Sequence, residues 1–283
     1  MSRLLPEVQV QGLNASQIHT FQTEILTYYQ EHRRKMPWRE TDDPYRILVS
    51  EIMLQQTQVD RVLKKYSEFI TKYPNFFTLA SASLRDVLAA WQGLGYNRRA
   101  VSLRTIAQRV ITDFGGTLPD SREILQTLPG IGPATAGAVC VFAFQQRLVF
   151  IETNIRRVFL HFFFPNRFGV KDSEIRPLVA ATLRDDVREW YYALMDYGAA
   201  LARTTANPNQ RSAHHHRQTP FQDSERQIRG KILRALVAEP HLTEARLIAQ
   251  VGKEETRTRR VIRALMEEGF VQWDGDQLCI PGD

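Results

Sequence analysis

The sequence is poor in cysteine and has no long apolar run. Only two cysteines occur in 283 residues, Cys140 and Cys279. They are too few for a disulfide framework and both lie in apolar stretches, which fits a reducing compartment. No run approaches the roughly 20 apolar residues that span a bilayer. The first residues, MSRLLPEVQVQG, also lack the apolar block of a signal peptide. We therefore expect a cytoplasmic protein with no membrane partner.

Strand-like alternation is also nearly absent before residue 224, and helical periodicity takes its place. A helix is expected from about Pro44, after a proline-punctuated loop. Apolar residues recur at the spacing of an amphipathic helix in the segments 15–34, 62–73, 83–91 and 98–114. This pattern predicts an all-α domain over residues 1–202.

Residues 203–223, RTTANPNQRSAHHHRQTPFQD, are polar, basic and poor in apolar side chains. We interpret them as an extended connector. Three adjacent histidines suggest a metal site, but neighbouring residues point in different directions. No cysteine or carboxylate cluster accompanies them. A solvated basic loop near phosphates is therefore favoured over a metal site.

The tail from 224 to 283 has the pattern of a small separate domain. Three helical segments are followed by alternation around Asp274-Gly275, a strong hairpin signal. Three helices and a hairpin predict a winged helix-turn-helix. Its third helix carries Arg257, Arg259, Arg260 and Arg263. Such a helix can lie in a DNA groove, but a module that only packs on its neighbour is an equally good reading.

A net charge of +6 favours a polyanionic partner such as nucleic acid, although ordinary solubility charge would also account for it. The stretch LPGIGPATAG (128–137) fits such a partner. Gly130 and Gly132 would let a phosphate approach the unpaired N–H groups of the following helix. The alternative is a tight helix–helix turn whose glycines serve packing alone.

Four motifs occur in order: MPWRETDDPYRILVSEIMLQQTQV (36–59), WQGLGYNRRA (91–100), LPGIGPATAGAV (128–139) and LMDYGA (194–199). Together they resemble the helix-hairpin-helix (HhH-GPD) DNA glycosylases, and specifically the MutY-like adenine glycosylase branch. The similarity covers roughly residues 20–202, with SEIMLQQTQV its most discriminating part. It implies a two-lobed helical glycosylase domain, followed here by the winged helix.

The resemblance implies two catalytic carboxyl groups. Glu51 matches the general acid that protonates the departing base, and its apolar surroundings would keep it protonated. Glu152 matches an aspartate that stabilises positive charge on the sugar. The glutamate is one methylene longer, which displaces its carboxylate by about 1.5 Å. Backbone compensation, a different substrate and reduced activity all remain open.

Other positions match DNA and substrate contacts of that family. A glycosylase must rotate its target nucleotide out of the duplex and fill the vacated stack. Gln56 and Tyr96 match the inserting positions. The remaining expected DNA contacts are Gln55, Gly130, Gly132 and Thr135. The expected substrate pocket comprises Trp38, Arg39, Asn154 and Tyr192. The tyrosine replaces a glutamate or glutamine of the family, and could stack on a base or donate a hydrogen bond to it.

The chain departs from its relatives in three further places. Bifunctional enzymes carry a nucleophilic lysine where this chain has Ala134, so we expect a monofunctional enzyme that leaves an abasic site. The positions of four cluster-binding cysteines are Ala202, Asn209, Ser212 and Gln218, so no iron–sulfur cluster is expected. The domain with which MutY enzymes recognise 8-oxoguanine is not expected, because the winged helix takes its place in the chain. A K⁺ or Na⁺ ion at the hairpin carbonyls of Gln126, Leu128 and Ile131 is the only cofactor expected.

The leading interpretation is a monofunctional DNA glycosylase of base excision repair that removes adenine opposite 8-oxoguanine or guanine. A glycosylase acting on thymine or uracil mismatches, or on a damaged purine, is the alternative within the same fold. A non-catalytic DNA-binding or regulatory protein is the alternative of another class. The expected partner is double-stranded DNA with a lesion or mismatch, bound by a monomer associated with the nucleoid.

Overall fold

The computed structural model describes residues 12–215 and 220–282, and nearly all of the regular structure there is helical. The chain forms two units whose segments alternate along the sequence. Within the described residues the first unit comprises 12–44, 120–126 and 131–215. The second comprises 45–119, 127–130 and 220–282.

The helices of the first unit pack around an aromatic core. They are α1 Ala15–His32, α7 Arg122–Leu125, α8 Pro133–Phe144, α9 Thr153–Phe163, α10 Asp172–Ala181 and α11 Val187–Thr204. A short 3-10 helix, Pro37–Arg39, follows α1, and another, Pro208–Arg211, follows α11. Helix α11 contacts both α1 and α9, and α7 packs on α8. The ring of Phe21 on α1 lies 5.1–5.4 Å from three phenylalanine rings of α9.

The second unit combines five helices from the middle of the chain with the C-terminal winged helix. The helices are α2 Pro44–Leu54, α3 Val59–Lys72, α4 Phe76–Ala80, α5 Leu84–Trp91, α6 Arg98–Phe114, α12 Glu225–Ala238, α13 Glu244–Val251 and α14 Glu255–Glu267. The strands are β1 Leu242–Thr243, β2 Gln272–Asp274 and β3 Gln277–Cys279. Helix α6 contacts α4 and α5, and α12 packs on α5. The antiparallel sheet has the order β1-β3-β2, with Leu278 opposite both Leu242 and Trp273.

Local signals place most of these boundaries correctly. Helix α2 begins at Pro44, and Ser83 caps α5 through the N–H of Asp86. Helix α6 ends where Gly115 takes the left-handed conformation. The observed elements confirm the predicted fold, which is mostly helical and ends in a winged helix. Helix α4 and strand β1 are missing from the sequence prediction because five and two residues are too short to show a period.

No helix within the described residues is long and apolar enough to cross a membrane. Both cysteines are buried, as their apolar neighbours predict. The expectation about the first residues of the chain falls largely on 1–11, which lie outside the described residues. The domain boundaries at 202 and 223 stay a prediction.

Candidate functional site

Helix α2 presents Glu51 from an almost wholly buried segment. The helix begins at Pro44. From Ile47 to Met53, every residue except Glu51 is buried. The hydroxyl of Ser50, the buried polar residue beside Glu51, donates to the carbonyl of Ile47 at 2.8 Å. Glu51 itself is half-buried. The predicted acid therefore sits on a rigid apolar helix, as a positioned proton donor requires.

The buried guanidinium of Arg99 fastens the end of this helix to the turn before α6. Its Nη1 donates to three carbonyls at the end of α2, those of Ile52, Met53 and Gln55, at 2.6–2.9 Å. Its Nη2 donates to Thr57 Oγ1, Leu94 O and Gly95 O, at 2.9–3.3 Å. Burial lowers the pKa of Arg99 to about 10, so it stays charged at neutral pH.

The two residues predicted to enter DNA stand on the turns that Arg99 joins. Gln56 has a φ of 52° and Tyr96 a φ of 48°, both in the left-handed region. This conformation costs a non-glycine residue about 1–2 kcal/mol. Gln56 is exposed, and the Tyr96 residue is 38% exposed. The fold thus holds both side chains at the surface on strained turns that the buried arginine supports.

The hairpin glycine Gly130 is held by the same unit. Its φ is 78°, and a Cβ there would lie 3.1 Å from the side chain of Ser102. The amide of Gln55 donates to the Gly130 carbonyl at 3.1 Å. Gln55 therefore supports the hairpin backbone, and its predicted contact with DNA stays a prediction.

Helix α8, in the other unit, begins directly after the hairpin. Gly132 is its N-cap and Pro133 its first residue, so Ala134 and Thr135 lie in the first turn, where N–H groups lack helical partners. No lysine stands in that turn. Among the described residues, no group of three or more His, Cys, Asp and Glu side chains could hold a metal ion. The carbonyl site expected at Gln126, Leu128 and Ile131 stays a prediction.

Glu152 caps helix α9 in the first unit. Its Oε1 accepts from the N–H groups of Asn154 at 2.7 Å and Ile155 at 2.8 Å. Burial raises the pKa of Glu152, although these hydrogen bonds and the charges of Arg157 and Arg156 oppose the rise. Glu152 thus takes the N-cap position that aspartate commonly fills at a helix start. The carboxylate is therefore fixed, and it gains a proton more readily than an exposed glutamate.

Asn154 joins this carboxylate to helix α11. Its Nδ2 donates to Glu152 Oε2 at 3.2 Å, and its Oδ1 accepts from Arg157 at 2.7 Å. Arg157 also donates to the carbonyl of Gly198 at 2.8 Å. A Cβ on Gly198 would lie 2.4 Å from the Asn154 carbonyl oxygen. The LMDYGA motif thus supplies the glycine that lets α11 approach the start of α9.

The same motif supplies a buried carboxylate that sequence reasoning missed. Asp196 accepts two hydrogen bonds from Arg39, at 2.8 and 2.9 Å, and also bonds the N–H and guanidinium of Arg34. Burial raises the pKa of Asp196, but the bonds and charges of the two arginines outweigh it and lower the pKa. A lone aspartate in the apolar run from Trp190 to Leu201 was the available signal.

The residues expected to line the pocket are packed into the first unit. Trp38 and the ring of Tyr192 are buried. Phe142 stacks on the Tyr192 ring at 4.5 Å, and the Arg39 guanidinium lies 4.4 Å from its centre. The ring of Tyr192 is therefore packed against two neighbours of its own unit, and its part in base recognition stays a prediction.

Within the described residues, the segment after α11 forms the 3-10 helix Pro208–Arg211 and is not extended as its composition predicted. Asn209 and Ser212 are buried. The Asn209 amide donates to the Thr153 carbonyl at 3.0 Å, and Arg211 donates to carbonyls of Leu160 and Pro165. These polar bonds attach the segment to α9, which periodicity could not reveal. Of the four positions expected to lack cluster ligands, Ala202, Asn209 and Ser212 lie within the described residues and Gln218 lies outside them. The absence of a cluster stays a prediction.

The arginines of the third winged-helix helix are largely engaged within the module. Arg259 pairs with Glu244 and Glu255, and Arg260 pairs with Glu225. Arg257 donates to the backbone carbonyl of Asp223. Ion pairs between exposed side chains are weak and can exchange their partners. Groove binding and packing on a neighbour therefore both stay predictions for this helix.

Comparisons with known proteins agree with this architecture. Residues 49–177 match the model of the "HhH-GPD superfamily base excision DNA repair protein" family. Residues 225–272 match a "Winged helix-turn-helix DNA-binding" family. The chain is 35% identical to the adenine DNA glycosylase of Mycobacterium tuberculosis (strain CDC 1551 / Oshkosh), over 100% of this chain and 99% of the relative.

Two solved structures share the fold. A thermostable thymine-DNA glycosylase superposes with a TM-score of 0.60 and 29% identity, over 68% of this chain and 90% of that one. A trapped covalent complex of endonuclease III with DNA gives a TM-score of 0.58 at 18% identity, over 69% and 91% of the two chains. The second likeness concerns the fold alone.

Proposed function

Because this chain belongs to the adenine DNA glycosylases of the HhH-GPD superfamily, we propose that it removes adenine mispaired with 8-oxoguanine or guanine. The observation that carries this proposal is the similarity to an adenine DNA glycosylase along the whole chain. The partner is double-stranded DNA containing the mispair. The product is an abasic site, since no lysine stands in the first turn of α8.

Glu51 and Glu152 have different roles in the proposed reaction. Glu51 donates a proton to the adenine ring as the bond between its nitrogen and the sugar carbon breaks. The ionised carboxylate of Glu152, fixed by two N–H groups of α9, stabilises the positive charge that develops on the sugar. Water then adds its hydroxyl to that carbon and releases a proton, so the reaction is a balanced hydrolysis. Gln56 and Tyr96 fill the gap that the extruded nucleotide leaves.

Monomeric binding and a cytoplasmic, nucleoid-associated location complete the proposal. Backbone amides of the hairpin and the excess of basic residues support binding that depends on salt and only weakly on sequence. The hairpin carbonyls of Gln126, Leu128 and Ile131 are proposed to hold a K⁺ or Na⁺ ion. We propose that no iron–sulfur cluster is bound.

Single-turnover cleavage on a panel of duplexes tests the function. The panel contains A:8-oxoguanine, A:G, T:G, U:G and hypoxanthine, each treated with alkali to cut abasic sites. We expect fastest cleavage of the adenine mispairs and at least a 100-fold loss in Glu51→Gln, in line with general acid catalysis. The control is Glu68→Gln, an exposed glutamate of the same unit.

The panel also contains the outcomes that contradict the proposal. Preference for T:G or U:G would assign a pyrimidine mismatch substrate, as the thymine-DNA glycosylase likeness allows. Binding without any cleavage would identify a non-catalytic DNA-binding protein. Trapping of a covalent complex by borohydride would exclude the monofunctional mechanism.

A further inference from the structure

A hydrogen bond links the winged helix to the tyrosine that is proposed to enter DNA. Nη1 of Arg226 donates to the Tyr96 hydroxyl at 3.0 Å. Arg226 lies in the first turn of α12 and is half-buried. Both residues belong to the second unit. The bond spans 130 residues of sequence, so no local pattern could reveal it.

The winged helix contacts the same turn at a second point. Arg98, two residues after Tyr96, pairs with Glu268 at 2.9 Å. The carboxylate of Glu268 also accepts hydrogen bonds from Nη1 and Nη2 of Arg229, at 2.8 and 2.5 Å. Arg85 of α5 donates to the Val237 carbonyl at the end of α12. The module is therefore fixed to the tyrosine turn by several polar contacts.

These contacts affect the conformational freedom of the Tyr96 side chain. Its backbone is left-handed, and the Arg99 guanidinium lies 5.6 Å from the ring centre. Arg99 holds the backbone, but an exposed ring can still turn about its side-chain torsions. A bond to the hydroxyl from α12 restricts those torsions. A ring that is already ordered loses less entropy when it enters the base stack.

We propose that Arg226 is a positioning residue for Tyr96, so that the winged helix serves the glycosylase by orienting its inserting side chain. This inference rests on the proposed function, because it takes Tyr96 as an inserting residue. It also gives the module a task that does not depend on the arginines of α14. The Arg226 bond acts through Tyr96 and touches neither the base nor the sugar.

The contact itself is tested in the protein without DNA. The full chain carries 3-fluorotyrosine at position 96, and its fluorine NMR signal is recorded. Arg226→Met should shift and broaden the signal because the ring gains freedom. The control is Arg234→Met, which removes the same charge from an exposed site eight residues along α12, about 12 Å away, and should leave the signal unchanged. An unmoved signal in Arg226→Met overturns the proposal.

A double-mutant cycle tests the consequence for DNA. The duplex carries 2-aminopurine beside a 2′-fluoro-adenosine opposite 8-oxoguanine, so fluorescence reports unstacking while cleavage is slowed. Arg226→Met and Tyr96→Phe should each weaken unstacking by about three- to tenfold, the loss typical of one hydrogen bond. The double variant should be no worse than Tyr96→Phe alone.

Additive losses would overturn the proposal. They would mean that Arg226 contacts a phosphate directly, and the slope of affinity against salt would then fall by about one in Arg226→Met in both backgrounds. If the parent cuts the duplex and Arg226→Met unstacks it as well as the parent does, this inference alone is overturned. A parent that neither cuts nor unstacks any duplex of the panel would overturn the proposed function, and this inference with it.

Discussion

Gly198→Ala is expected to displace the carboxylate of Glu152, the proposed catalytic group, without touching it. The new Cβ would lie 2.4 Å from the carbonyl oxygen of Asn154 and 2.8 Å from its carbonyl carbon. Both are backbone atoms of the first turn of α9, so no side chain can rotate away. An ordinary contact needs about 1 Å more. Helix α9 must shift by that amount, and Glu152 moves with the N–H groups that hold it.

The size of the effect follows from this displacement. A misplacement of about 1 Å costs roughly 100-fold in rate, and overpacking costs about 1–3 kcal/mol of folding free energy. We therefore expect the single-turnover rate constant for A:8-oxoguanine to fall about 100-fold. Urea unfolding should show a loss within that range of free energy, small enough for the variant to stay folded.

The matched control is Gly230→Ala in helix α12. A Cβ there meets no atom within 4 Å. The same substitution should raise stability by up to about 1 kcal/mol, since alanine favours helix more than glycine does, and leave the rate unchanged. A Gly198→Ala protein that cuts at the parental rate would refute the reasoning, because Glu152 would then tolerate a shift of its helix.

Two further predictions concern buried charges. Asp196→Asn leaves Arg39, whose side chain is 7% exposed, without its anion, and should cost about 3–5 kcal/mol in urea unfolding; a loss below about 1 kcal/mol would contradict the buried ion pair. Burial raises the pKa of Glu152, and only its ionised form can stabilise a cationic sugar. As the pH is lowered, the single-turnover rate should therefore begin to fall at a higher pH than that at which an exposed glutamate titrates. Glu152→Gln should be slow and lack this acidic limb; a parental profile that stays flat through the titration range of exposed glutamates would contradict the role.

Local chemistry accounts for the part of the molecule that sequence could predict. Capping residues such as Ser83 and the left-handed Gly115 act within one turn, so they mark helix ends. The hairpin and the Asp274-Gly275 turn are equally local. The motifs around Glu51 and Glu152 identify the candidate site by resemblance, and the structure adds how Glu152 is held.

The remaining features depend on contacts between distant segments. The Asp196 carboxylate meets arginines 157 and 162 residues away, and no spacing rule covers such a pair. Asn209 was read as part of a solvated loop, yet it is buried against the start of α9. The ring of Tyr192 packs against Phe142 and the Arg39 guanidinium, two partners far away in the sequence that no local pattern indicates. Composition describes what a side chain is able to do, and packing decides which option is used.

The six hydrogen bonds of Arg99 make its two surface turns mechanically dependent on each other. One planar, rigid group is bonded beside both Gln56 and Tyr96, so a movement of either turn disturbs the bonds that hold the other. The two side chains lie 40 positions apart in the sequence, yet they share one support. If both enter DNA as proposed, a change in one turn should also alter how the other side chain meets the duplex.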